Sequence, residues 1–246
     1  MLHVNQLIGF GAGGVTSSIQ FVGGNTATKA GATSGTSTIA LNSGLTGGIA
    51  SAVSNGDFVI AVFAAGTAAD RTLSITDGTN PYTLIGSELY ADDTIDANLR
   101  VAYKVVSGDT ATTFGPTGGS GEAAAMAVYV FRGVNVATPI DVTTTVATNI
   151  NSALANPPSI LPVTPGAFVV CAGAGGHFRG VATFTSSDLS GFLTAGFDGT
   201  SQDVTVGVGH IPNWEAGAVD AAAFGFSAAD TTNASWAAIT CALRPS

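Results

Sequence analysis

The chain has 246 residues, a formal net charge of −9, only 9% charged side chains and 33 glycines, where average chains carry roughly 25% charged residues. Glu occurs three times and Lys twice, which excludes a coiled coil or helical bundle. Seven cations against sixteen anions exclude a nucleic-acid partner that needs a basic stripe, and the absence of any run of about 18 apolar residues excludes a membrane-spanning helix. Residues 1–35 come first and contain no acidic side chain; the first acid in the chain is Asp57. This segment is rich in Gly, Thr, Ser and Ala and holds two apolar islands, Leu7-Ile8-Gly9-Phe10 and Ile19-Gln20-Phe21-Val22. It predicts an extended arm that packs on something else, with Leu7, Ile8, Phe10, Ile19 and Phe21 as its anchoring residues. The opening Met1-Leu2-His3-Val4-Asn5-Gln6 lacks the basic and apolar regions of a signal peptide, so no export signal is expected.

From residue 36 to 246 the pattern is β, and a single sandwich is expected. Ser37–Leu41 alternates, and Asp57–Phe63 is a continuous apolar run of the kind that is covered on both faces. Leu73–Thr76 ends at the turn signal Asp77-Gly78. Leu99–Val105 alternates with period two, and Ala125–Phe131 interleaves Ala with Val, Tyr and Phe, which favours strand over helix. The two halves, about 50–137 and 160–246, echo one another. Gly56-Asp57-Phe58-Val59-Ile60-Ala61 returns as Gly166-Ala167-Phe168-Val169-Val170-Cys171, Arg100–Tyr103 as Thr205–Val208, and Val130-Phe131-Arg132 as Ala242-Leu243-Arg244. Two repeated four-stranded units joined in one jelly-roll-like antiparallel β-sandwich would explain the echo; strand-like similarity arising from pattern alone is the other explanation. The proline-dense link Thr138–Pro165 suits an extended crossover better than a strand or helix.

Few motifs carry chemistry. Gly9-Phe10-Gly11-Ala12-Gly13-Gly14 matches a dinucleotide fingerprint, but no helix pattern and no acid near position 34 follow it. No G-x-S-x-G occurs, and His177 and His210 are read as solvated side chains at strand ends or in loops, so no enzyme is expected. Cys171 and Cys241 are too few for a disulfide framework or zinc site and read as two buried thiols, a single bridge being the alternative. The acidic loop Asp92, Asp93, Asp96 and its counterpart Asp198, Asp203 offer the oxygen ligands calcium prefers, although short Asp-rich loops are also ordinary solvated turns. Trp214, Tyr82 and Tyr90 are the aromatic side chains that could stack on a sugar; for Trp214, capping one end of the core is the competing role.

The order of these motifs resembles a family of β-sandwich structural proteins of tailed bacteriophages. The residues that carry the resemblance are Gly56–Val62, Pro81–Gly86, Leu99–Val106, Ala127–Val134 and Pro139-Ile140-Asp141, within roughly residues 18–141, and the glycine-rich Leu7–Gly14 start is similar to openings of such proteins. The resemblance implies a non-enzymatic virion protein on the particle surface, as a capsid decoration or a head or tail fibre component. Such a protein is made in the host cytoplasm and joins other virion proteins of the capsid or tail, as a homo-oligomer. The alternative it leaves is a glycan-binding adhesin module of a tail fibre that recognises the host surface.

Overall fold

The computed structural model describes residues 18–29, 35–67, 69–92, 96–115, 122–150, 155–177, 186–197, 203–225 and 235–246. These residues form strands and turns, with no helix among them. The strands are β1 (Gln20–Lys29), β2 (Ser37–Ala40), β3 (Phe58–Thr67), β4 (Ile75–Thr76), β5 (Thr83–Leu84), β6 (Leu89–Ala91), β7 (Asp96–Val105), β8 (Ala111–Phe114), β9 (Ala123–Arg132), β10 (Thr145–Asn149), β11 (Ala167–His177), β12 (Ser190–Phe197), β13 (Asp203–Trp214) and β14 (Ser235–Leu243).

Two antiparallel sheets carry the fold. The first runs β1-β9-β3-β7, with β5 and β6 both beyond β7; the second runs β10-β14-β11-β13-β12. They lie face to face, β1 over β12, β9 and β3 over β13, β7 over β11 and β14, and β6 over β10 and β14. All-β sandwich architecture follows, as the alternating and continuous apolar runs predict. Each sheet comes from one continuous half of the chain, without the interleaving of a jelly roll. The strand order is the same in both: counted along each half, the first, fifth, second, fourth and third of β1, β3, β6, β7, β9 stand side by side, and likewise for β10 to β14. Equivalent central pairs share register, Phe58 facing Phe131 and Phe168 facing Leu243. Ile60 faces Tyr103 while Val170 faces His210, so the counterpart of Tyr103 is His210, two residues beyond the spacing read from the sequence. A slip of two keeps every side chain on its own face, which is why the alternation alone could not fix it.

Period two decides the core. Along β3, Phe58, Ile60, Val62 and Ala64 point between the sheets, while Val59, Ala61, Phe63 and Ala65 point out. That outer face is covered by the three-stranded sheet β2-β8-β4, which contributes Ile39, Ile75 and Phe114. Val169 and Cys171 of β11 point to the outer face of the second sheet, under Ala155, Ile160, Ala221 and Phe224. Each central strand is therefore buried on both faces, as the apolar run at 57–63 requires. A Phe or Ile withdrawn from water in this way contributes about 1.5–3 kcal/mol.

Two sequence expectations change here. The predicted arm, 1–35, is divided: β1 is an edge strand of the first sheet, hydrogen-bonded along β9 from Gln20 opposite Arg132 to Lys29 opposite Ala124. Its Thr and Gly content hid a strand that has one apolar island, Ile19–Val22, to bury. The crossover 138–165 also contains a strand, β10, in the stretch without proline between Pro139 and Pro157.

Candidate functional site

At one corner of the sandwich, where β1 lies over β12, a groove of about 510 Å³ opens to solvent. One wall is the start of the first sheet, Ile19, Gln20 and Phe21, with Gly47 to Ile49 beside it. That loop is tied to β1 by backbone bonds from Ile49 N–H to Phe21 O and from Ala50 N–H to Val22 O. The other wall is Ser190 and Gly191 of β12, His210 and Pro212 of β13, and Phe168 of β11. Among the described residues, none that lines it is Asp, Glu, Lys or Arg.

The floor is an aromatic cluster around one hydrogen-bonded pair. The Phe21 ring lies 4.4 Å from Tyr129 and 5.1 Å from His210, and Phe168 lies 4.6 Å from His210 (centroid distances). Tyr129 Oη is 2.5 Å from the Gly191 carbonyl and 2.5 Å from His210 Nδ1. The carbonyl can only accept, so the phenol donates its single proton to Gly191. His210 Nδ1–H must then donate to Tyr129, which fixes the neutral tautomer and leaves Nε2 as an acceptor. Burial pushes the His210 pKa down to about 4 and raises that of Tyr129. His210 is thus a buried strand residue at 7% exposure, not the solvated strand-end residue expected from its neighbours. A base this weak is poorly matched to proton abstraction near pH 7. What the imidazole offers a ligand is a hydrogen-bond acceptor in an apolar groove.

The depressed pKa has a measurable consequence. The unfolded chain takes up this proton near pH 6.5, the folded one near pH 4. Between those values the unfolded state binds more protons, so stability falls as pH falls through the window, by about 3 kcal/mol in all. Urea denaturation at pH 7 and pH 4.5 should show this loss, and His210→Gln should remove most of the difference between the two pH values.

The residues singled out from sequence are scattered. Ile19 is buried in the inter-sheet core and Phe21 packs against it, so both belong to the sandwich and not to a detached anchor; Leu7, Ile8 and Phe10 lie outside the described residues. Tyr82 is 4% exposed and its hydroxyl meets Thr112 at 2.8 Å, so it presents no ring face to a sugar. Tyr90 is half-buried and donates to Asp96 at 2.7 Å. Trp214, at the end of β13, is half-buried and its Nε1–H donates to Gly217 O. Of the proposed calcium ligands, Asp96 and Asp203 are buried at the starts of β7 and β13, Asp92 is exposed, and Asp93 and Asp198 lie outside the described residues. No three acidic, His or Cys side chains gather for a metal ion among the described residues. Cys171 and Cys241 are free and buried on opposite faces of the second sheet, and burial pushes both thiols up to about 12.

Sequence reasoning missed Tyr129, Gly191 and Phe168. Tyr129 and His210 are 81 residues apart and meet only because β9 faces β13. The equivalence of His210 with Tyr103 emerges only from the strand register, since the spacing in the sequence pairs Tyr103 with Val208. Compared with models of protein families, with curated proteins and with solved structures, the chain matches none.

Proposed function

We propose that this chain is a non-enzymatic structural protein of a bacteriophage virion, carried on the particle surface and attached through the residues that precede β1. The observation that carries the reading is the division of charge. Residues 1–56 hold one charged side chain, Lys29, and all sixteen acids lie beyond them. A neutral N-terminal segment with the island Leu7-Ile8-Gly9-Phe10 is suited to burial against a partner, and an acidic body is suited to solvent. The segment joins the body at Ile19, which is itself core, so a load on the segment is transmitted into a sheet edge.

Removal of residues 1–16 tests this. The truncated protein should still fold and unfold cooperatively, because every residue removed precedes Ile19, the first core residue described. It should also be lost from particles, as read by immunoblot of purified virions and by particle imaging. Normal incorporation would overturn the reading.

A further inference from the structure

We infer that the corner groove receives the Leu7-Ile8-Gly9-Phe10 segment of a second copy of this chain, so that two subunits exchange N-terminal segments. The inference rests on the proposed burial of that segment against a partner and makes a sister subunit that partner, the particle taking up the paired form. Four observations point to this occupant. The groove is lined by apolar and uncharged groups, in a chain whose net charge is −9. Residues 1–17 contain no Asp, Glu, Lys or Arg, and their island supplies three large apolar side chains. The segment enters the described fold at the groove itself, since Ile19, Gln20 and Phe21 form its wall. The opposite wall begins β12, the last strand of its sheet among the described residues, whose edge can pair with an extended segment as a strand partner.

A segment that leaves from the wall of the groove it fits gives a self-complementary contact. Each copy donates to the other and receives from it, which closes on a two-fold axis without leaving a free site. Inside the groove, His210 Nε2 can accept one backbone N–H from the incoming strand, while the rings of Phe21 and Phe168 cover its apolar side chains.

Cysteine cross-linking between differently labelled chains tests the exchange. Phe10→Cys is made in one preparation and Ile49→Cys in another; Ile49 is 55% exposed at the groove rim, and the native thiols are buried and do not compete. After mixing and mild oxidation, a disulfide joining the two chains should dominate the non-reducing gel, with the 10–49 peptide pair identified by mass spectrometry. Each variant should melt like the unmodified protein, which separates misfolding from failure to exchange. The double variant is oxidised at high dilution in parallel. If it closes only within one chain and the mixed preparation gives no joined species, the segment fills its own groove and the inference is wrong. No cross-link in either arm also overturns it. A cross-link in a protein that particles do not take up would leave the exchange standing and end the virion reading instead.

Discussion

Gly191→Ala is expected to lower the unfolding free energy by about 3–4 kcal/mol. Gly191 has φ near +61°, a left-handed conformation that costs a residue with a Cβ about 1–2 kcal/mol. A Cβ there would also stand 2.3 Å from His210 Cε1, 2.7 Å from Tyr129 Oη and 2.8 Å from His210 Nδ1. The ring and the phenol cannot both withdraw without breaking their mutual hydrogen bond inside an aromatic cluster, which leaves buried polar groups unpaired. Gly217→Ala is the matched control: its φ is +87° and nothing lies within 4 Å of an added Cβ, so only the backbone term should appear. Urea denaturation of the two variants isolates the contact term as their difference. Equal losses would mean that the Tyr129–His210 pair yields freely and does not hold β12 against the first sheet.

Asp141→Ala is expected to cost a similar amount, about 3–5 kcal/mol. Asp141 precedes the second sheet, and its carboxylate accepts from Val163 N–H at 2.7 Å, Thr164 N–H at 3.1 Å, Thr164 Oγ1 at 2.5 Å and Arg244 Nε at 3.2 Å. It ties the loop before β11 to the end of β14. Burial by itself would raise its pKa, but the hydrogen bonds from Thr164, Val163 and Arg244 outweigh that and hold it below the ordinary value. Its folded pKa is thus below its unfolded one of about 3.9, so its contribution is complete above that pH and is lost as pH falls through the folded value. Asp141→Asn keeps one acceptor oxygen and should recover part of the loss at pH 7. Alanine and asparagine variants of equal stability to the native protein would show that the loop is held by other contacts.

The fold was legible where a single periodicity had one outcome. Phe58 to Phe63 reads as a strand covered on both faces because alternate residues have no polar member, and the structure supplies a layer on each side. The alanines of β9 that resemble helix instead lie on a strand between β1 and β3 that is buried on both faces, with Tyr129 and Phe131 as the bulk. β1 was hidden because Thr, Asn and Gly on a sheet edge look like a linker; only its register with β9 reveals it. The polar core was less legible still. Asp96 and Asp203 read as loop ligands because loops precede them, yet each begins a strand and is buried there. The groove draws on five segments at least 19 residues apart in the chain, and no local pattern encodes that convergence.

The assignment of each sheet to one half of the chain has a consequence for synthesis. Every strand of the first sheet has been made once Arg132 is added, so that sheet can pair completely as its last strand clears the ribosome, before the second sheet is finished. Until the remaining residues follow, which takes on the order of 10 s at the usual pace of translation, Phe58, Ile60, Val62 and Phe131 face water with nothing to cover them. Two nascent chains on one message present the same bare surface at the same time. Pairing of first halves between neighbours is therefore the characteristic error of this topology, and a chaperone that shields that surface during those seconds would raise the yield more than one acting on the finished chain.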